Sequence, residues 1–296
     1  MKQIKFKRSG NSNLVVKTTS YLFLILMALI CIVPFYLMLV NATRTNTQID
    51  YGVSLLPGTA TVENFKTLFL GRLDPRSGLR GGGLNILRGF LNSFIVAGSA
   101  TVLAGYFSAL TAWGFSMYSF RGRKILFGLI LAVIMIPPTV SVIGFYKLIV
   151  SLGMYDTWWP LIIPAIASPY TVFFLRQYIS SSLHPALLEA ARIDGANEFI
   201  IFHKLGLPLI TPAIATMSIF GFLFSWNNYL LPLTVLNSQE KYTLPLLIQM
   251  LNTTTYYRDQ GALYAGVAIS IVPIMIAFIV FSRYIMGGLS FGAIKE

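Results

Sequence analysis

Charge is scarce in this chain. Asp, Glu, Lys and Arg together make up 11% of its 296 residues, less than half of the roughly 25% found in soluble domains. That leaves too little polar surface for a water-soluble body of this size. Cysteine is nearly absent: Cys31 is the only one, so no intrachain disulfide forms, and its place inside an apolar run says little about compartment. The ten acids, Asp50, Glu63, Asp74, Asp156, Glu189, Asp194, Glu198, Glu240, Asp259 and Glu296, all fall outside the apolar runs. Proton- and sodium-coupled carriers commonly keep a carboxylate within the membrane to trade a proton or hold a cation. None is offered here, so the driving force is expected to come from elsewhere. A Gly-x-x-x-x-Gly-Lys-Ser/Thr loop is also lacking, which excludes the usual way of holding ATP. The only histidines, His184 and His203, stand far apart with no cysteine or carboxylate arrangement around them, which argues against zinc.

What the chain has is hydrophobicity: 55% apolar residues and a mean hydropathy of +0.71. Six apolar stretches stand out, at 21–40, 90–115, 125–149, 158–175, 207–235 and 263–285, each long enough to cross about 30 Å of hydrocarbon as a helix. The first follows Lys2, Lys5, Lys7, Arg8 and Lys17. Its apolar length exceeds that of a signal-peptide core, so it reads as an uncleaved span. The expected fold class is therefore an all-α integral membrane protein with six transmembrane helices.

The net charge of +12 reads as the basic excess of cytoplasmic loops rather than as a nucleic-acid surface, since no interleaved aromatic and basic strand is present. With the N-terminus inside, the inside segments hold the N-terminal cluster, Arg121, Arg123, Lys124, Arg176, Arg192, Lys204, Arg283 and Lys295. Most outside basic residues lie in one long loop, where charge matters less. Both termini are thus expected in the cytoplasm. The organisation is a tail at 1–20, a membrane body at 21–286 and a tail at 287–296. Outside loops are expected at 41–89 and 236–262, with a cytoplasmic loop at 176–206. Within the first outside loop, the Arg- and Gly-rich stretch 71–83 reads as a flexible linker rather than a phosphate cradle, because no strand–helix context or Lys-Ser/Thr follows. Pro137-Pro138 and Pro273 interrupt the third and sixth spans and are expected to kink them.

The cytoplasmic loop carries most of the functional argument. In Ser181-Ser182-Leu183-His184-Pro185-Ala186-Leu187-Leu188-Glu189-Ala190-Ala191-Arg192-Ile193-Asp194-Gly195-Ala196, Pro185 suits a helix first turn and Gly195 a left-handed helix end. A short helix, a sharp turn and a second helical stretch from Ala196 to Leu207-Pro208 are predicted. Ala190, Ala191, Gly195 and Ala196 allow another surface to approach closely, and Glu189 and Arg192 offer charges for it. The bland alternative is an amphipathic linker lying on lipid.

Glu189-Ala190-Ala191, Gly195 and Leu205-x-Leu207-Pro208 resemble the EAA loop of bacterial ABC importer permeases, with Leu205 where isoleucine is usual. The string Glu189–Ala196 resembles the carbohydrate-importer, maltose-type branch. Asn92-Ser93, Phe120-Arg121-Gly122-Arg123-Lys124, Ile136-Pro137-Pro138, Trp226-Asn227-x-Tyr229-Leu230-x-Pro232 and Gly288-Leu289-Ser290-Phe291-Gly292-Ala293-Ile294-Lys295 agree with it. The likeness runs from about residue 21 to the C-terminus. Asn228 departs from the aspartate often found at its place, and 71–83 is longer than usual.

The resemblance implies a permease subunit of a sugar or oligosaccharide importer in the bacterial cytoplasmic membrane. It implies as partners a second homologous permease, two cytoplasmic ATPase subunits and an extracytoplasmic sugar-binding protein. No cofactor is expected in this chain, ATP and Mg²⁺ being held by the ATPases. By the same resemblance, Glu189, Ala190, Ala191, Arg192, Asp194, Gly195, Leu207 and Pro208 form the ATPase-coupling loop. Gly288, Gly292 and Lys295 lie in a tail that reaches the ATPases. Asn252, Thr253, Thr254, Tyr256, Tyr257 and Asp259 belong to a loop that contacts the binding protein. Trp226, Asn227, Asn228 and Tyr229 combine aromatic faces with amides, which suits a sugar pathway. An interfacial aromatic belt accounts for them equally well, and for Trp158-Trp159 better. Two other classes remain to be weighed: a passive channel or secondary carrier subunit, which an ion gradient alone would drive, and a membrane enzyme acting on glycans, which would need a nucleophile or paired acids facing a cavity.

Overall fold

A computed structural model describes residues 10–73, 80–82, 84–137, 142–184, 186–253 and 259–290. In chain order it runs α1 (Gly10–Asn41), α2 (Asn46–Asp50), α3 (Thr61–Leu70), β1 (Gly71–Leu73), β2 (Arg80–Gly82), α4 (Ile86–Met117), α5 (Arg123–Ile134), α6 (Val142–Ser151) and α7 (Trp159–Ile162). It continues through α8 (Pro169–Ser182), α9 (Ala186–Ile193), α10 (Glu198–Ile200), α11 (Leu207–Trp226), α12 (Leu230–Val235), α13 (Leu244–Thr253) and α14 (Gln260–Ser290). Among the described residues, four helical stretches are long and apolar enough to cross a membrane: Val16–Asn41, Ile86–Met117, Glu198–Trp226 and Gln260–Ile279. They coincide with the first, second, fifth and sixth apolar runs.

The third and fourth runs are not single helices. The third splits into α5 and α6 at Pro137, with 138–141 outside the described residues. The fourth is α7, a tight 3₁₀ turn (Ile163–Ile166) and α8, each opening with a proline in its first two positions. Proline supplies no N–H to a preceding turn and clashes with the carbonyl four residues back, so these runs break at their prolines. The fifth helical stretch starts earlier than the apolar run: it opens at Glu198, passes through a π-helical segment, Ile201–Gly206, and continues as α11.

The contacts divide the chain into two units. In the first, Met1–Gly83 with Thr254–Ala268, the apolar side chains of α1 from Tyr21 to Ile32 stand exposed, which hydrocarbon tolerates and water does not. Beyond its end the chain is tied down. Asn64 donates to the carbonyls of Ala42 (2.8 Å) and Arg44 (2.9 Å), groups just past the helix that need a partner. Arg44 donates to Asn41 Oδ1 at 3.1 Å, to Gly52 O at 2.9 Å and to Gln48 O. Thr45 and Gln48 form a reciprocal capping box on α2. The side chains of Asn46 and Asp50 meet the start of α14, accepting from Gly261 N (3.1 Å) and from Gln260 Nε2 (2.7 Å). β1 and β2 form an antiparallel pair, Arg72 opposite Gly81, within the stretch expected to be linker.

In the second unit, Leu84–Thr253 with Ile269–Glu296, α4 packs against α8 and α11. Its buried positions are mostly small: Ala97, Ala100, Gly105, Ser108, Ala109 and Ala112. Small residues let helix backbones approach closely, and in lipid such packing is the chief source of helix association. At the end of α4 the core thickens. Trp113 shares one buried cluster with Leu175, Ile179, Ile201, Phe202, Ile210 and Ala213, with Leu188 of α9 plugged into it.

Candidate functional site

The segment after α8 folds as a short helix and a sharp turn. α8 ends at Ser182, and His184 opens the next turn, its carbonyl accepting from Leu187 N at 3.1 Å. α9 has eight residues, about 12 Å of helix. It ends in a Schellman arrangement: Ala196 N donates to Ala191 O and Gly195 N to Arg192 O, both at 3.0 Å. Gly195 has φ +79°, the left-handed conformation such an end requires. Asn197 then caps the next helix, its Oδ1 accepting from Ile200 N at 2.9 Å. The expected second stretch is present, beginning at Glu198 rather than Ala196.

Of the residues on α9, Leu188 is buried at 2% exposure and Ala191 is half-buried against the same core. Glu189, Ala190, Ile193, Asp194 and Gly195 are exposed. The exposed ridge thus carries two acids and a slim Ala surface. Arg192 does not extend from it. Its Nε donates to Glu198 Oε1 at 2.7 Å, and its guanidinium lies 5.8 Å from the Tyr118 ring. Tyr118 donates its hydroxyl to the other oxygen of Glu198. The charge of Arg192 is therefore engaged within the chain, whereas Glu189 and Asp194 stand exposed. Leu207 is half-buried, and Pro208 sits exposed in the first turn of α11.

The Trp226-Asn227-Asn228-Tyr229 segment ends α11 and starts α12. Trp226 is 1% exposed. Its indole N–H donates to Ser270 O at 3.2 Å, and its ring packs with Phe222 and Phe90. It offers no open face in this chain. Asn227 Nδ2 donates to Leu223 O at 2.9 Å, and Asn228 Oδ1 accepts from Leu231 N at 3.2 Å. The two amides thus satisfy backbone groups at a helix end and a helix start. An aspartate at 228 would accept the same bond. Tyr229 is half-buried.

Asn252 and Thr253 close α13, while Thr254, Tyr256 and Tyr257 lie outside the described residues. Asp259 immediately precedes α14, its carbonyl accepting from Leu263 N at 2.9 Å and its carboxylate facing Asn46 Nδ2 at 3.4 Å. Gly288 is in the last turns of α14; Gly292 and Lys295 lie outside the described residues.

A polar staple that sequence reasoning missed holds the segment after α12. Asp156, at φ +57°, accepts from Asn237 N and Ser238 N (2.9 Å each), from Ser238 Oγ (2.6 Å) and from Lys241 Nζ (2.8 Å). Partial burial works to raise its pKa, but the Lys241 ammonium and the Ser238 and Asn237 donors outweigh it and hold the carboxyl well below the ordinary carboxylate range. Trp158 Nε1 donates to Lys241 O at 3.0 Å, and Asn92 Nδ2 donates to Glu240 O and Tyr242 O at 2.8 and 2.9 Å. Ser93 Oγ accepts from Leu244 N at 2.8 Å. Asn92-Ser93 thus anchors this segment to α4. Beside it an open groove of about 1030 Å³ runs along α4 past Phe94, Gly98 and Val102, with Trp158, Trp159 and the Arg88–Glu240 pair at its rim. Two acids, Asp156 and Glu240, line it, each paired with a basic side chain, Lys241 and Arg88.

Residues 86–289 match the family described as the binding-protein-dependent transport system inner membrane component. The chain is 34% identical over 277 residues to a permease protein of the arabinooligosaccharide transport system of Bacillus subtilis, covering 93% of this chain and 94% of that one. It is 30% identical over 279 residues to a permease protein of the diacetylchitobiose uptake system of Streptomyces coelicolor, covering 93% and 88%. It is 31% identical over 271 residues to a permease protein of the sn-glycerol-3-phosphate transport system of Brucella abortus, covering 91% and 94%. Among solved structures, a crystal structure of a bacterial ABC transporter involved in the import of the acidic polysaccharide alginate shares the fold, with a TM-score of 0.74 and 20% identity over 95% of this chain and 99% of that one.

Proposed function

The chain belongs to the binding-protein-dependent transport system inner membrane component family, the permeases of ABC transporters, and on that premise we propose that it is a translocation subunit of an ATP-driven importer for an oligosaccharide. In this reading it crosses the cytoplasmic membrane six times with both termini inside. It lines the pathway with a second homologous permease, and two cytoplasmic ATPase subunits, which hold ATP and Mg²⁺, drive it. A binding protein outside delivers the sugar. Relatives that serve arabinooligosaccharide and diacetylchitobiose systems support the oligosaccharide class; the glycerol-3-phosphate system among them keeps smaller polar solutes in the test panel.

The observation that carries the reading is α9. Glu189 and Ala190 stand exposed on a helix of eight residues, with Asp194 exposed just past its end, while Leu188 plugs its other side into the Trp113 core. A rigid helix fixed at its root and bare at its crest is suited to receive a push from a cleft in another protein and pass it to α4 and α11. The residues 252–259 are assigned to the binding protein and the tail 287–296 to the ATPases.

The deciding experiment reconstitutes the complex in proteoliposomes with its binding protein and a panel of oligosaccharides. Uptake that needs both internal ATP and external binding protein is expected, with no ATP turnover by the isolated chain. Uptake driven by an ion gradient in the absence of ATPase subunits would overturn the proposal in favour of a carrier.

A further inference from the structure

Three elements meet at one carboxylate. Glu198 opens the long helical stretch that continues as α11, Arg192 lies in the last turn of α9, and Tyr118 caps the end of α4. One oxygen of Glu198 accepts from Arg192 Nε at 2.7 Å and the other from the Tyr118 hydroxyl. Both contacts are on the surface, the Arg192 and Glu198 side chains being 46% and 52% exposed. A surface ion pair of this kind adds little to folding stability. What it fixes is direction. Between α9 and the next helix lie only Asp194, Gly195, Ala196 and Asn197, a turn closed by the two Schellman bonds around a left-handed glycine. Leu188 and Ala191 hold one side of α9 against the core. Apolar contact along one side still lets a short helix rock about that side; a polar tie away from it stops the rocking. The carboxylate supplies that tie.

We infer that Glu198 is a positioning residue that latches α9, through Arg192 and Tyr118, to both α4 and α11, so that displacement of the short helix moves the two long helices together. Partial burial and the Glu198 contact both push the Tyr118 hydroxyl's pKa up, which keeps it a donor across the physiological range. The bond to Glu198 likewise raises the pKa of Arg192, so the pair stays charged. The inference rests on the proposed role of α9 as the receiver of ATPase motion and adds what transmits it. Loss of the latch should lower the sugar moved per ATP rather than the ability to bind the ATPase.

The test uses the assembled transporter in proteoliposomes, reading sugar uptake and ATP hydrolysis on the same sample. Glu198→Gln is expected to lower uptake per ATP about three- to tenfold, with ATPase recovery in the complex unchanged. Exchanging the partners, Arg192→Glu with Glu198→Arg, is expected to recover at least half of the loss, as a pairwise contact requires. If Glu198→Gln reduces recovery of the complex, Tyr118→Phe, which removes a single hydroxyl, is read in its place and should lower the same ratio. Parental uptake per ATP in the variant, or a loss that the exchanged pair does not reverse, would overturn the latch. Failure of the unmodified complex to take up sugar with ATP would count against the proposed function instead, so the two failures are distinct.

Discussion

The backbone of Gly206 lies so close to the indole of Trp113 that a Cβ built on it would stand 2.9 Å from two of the ring carbons. Trp113 is 2% exposed, lies in the buried cluster with Ile179 and Ile210 and packs on the Phe202 ring, so its own ring has little room to retreat. This contact joins the end of the π-helical segment to α4. A π segment carries one residue more than an α-helix needs, and that extra residue reorients the faces on either side. Here it lets Ile201 and Phe202 face the same core as Ile210 and Ala213.

Gly206→Ala should therefore destabilise the protein through overpacking, by about 1–3 kcal/mol. A lower melting temperature in detergent and reduced recovery from the membrane would report it. Gly221→Ala, where a Cβ meets nothing within 4 Å, serves as the control and should melt as the parent does. Equal melting of the two variants would show that the Trp113 contact relaxes freely.

The staple at Asp156 predicts a pH dependence with a definite sign. Its folded pKa is depressed below the ordinary 3.8. Its contribution to stability is therefore fully present above that ordinary value and is lost as pH falls toward the folded one. Asp156→Asn keeps an acceptor for Asn237 N and Ser238 N and tolerates φ +57°, but it gives up the charge that Lys241 meets. The variant should be less stable than the parent by about 1 kcal/mol at pH 7. The gap should narrow as pH drops below about 4. Melting curves of both proteins across pH 3 to 7 check this, and a gap that widened toward acid would contradict the assignment.

Hydropathy made α1, α4, α11 and α14 legible, because an unbroken apolar run of that length has few alternatives to a spanning helix. It failed where hydrogen-bond geometry decides. Pro160, Pro164 and Pro169 cut the fourth run into α7, a 3₁₀ turn and α8, and a windowed average of apolarity is blind to a missing N–H. The α9 turn was readable because Gly195 has few uses just after a short helix. The Arg192–Glu198 contact was not legible, because Glu198 lies across a turn whose angle the sequence does not state. Trp226 read equally well as a sugar platform or an interfacial residue, and what engages it is the Ser270 carbonyl and the Phe90 ring, in other helices. The Asp156–Lys241 staple was invisible for the same reason, since 85 residues separate its halves.

The crossing number is open to a direct check. Single cysteines at Ser12 and Ala293, in a Cys31→Ser background, should resist impermeant thiol reagents in intact cells, as the basic bias of the short segments predicts. A cysteine at Asn237, exposed beside the staple, should label readily, since the proposed topology places it outside. The Cys31 replacement is needed because that thiol is itself exposed on α1. Labelling at either terminus without permeabilisation would overturn the six-crossing arrangement.

Gly195 separates the coupling reading of α9 from a passive one. Its φ is +79°, and a Cβ placed on it meets nothing within 4 Å. Substitution there costs backbone strain alone, with no clash to confuse the outcome. The size of that strain depends on how well each residue accepts the left-handed region: asparagine readily, alanine at roughly 1 kcal/mol, a β-branched residue at more. If α9 passes force to the long helices, the turn must keep both its Schellman bonds while loaded. Uptake should then fall in the order glycine, asparagine, alanine, valine, with Gly195→Val reduced at least about tenfold. Subunit recovery should stay near normal in all four, because none of these changes touches a core contact. If α9 were a linker resting on lipid, the strain would be relieved by a small shift of an unloaded helix, and the four proteins would transport alike. A graded series with constant assembly is thus the signature of a turn that bears load, and a flat series excludes it.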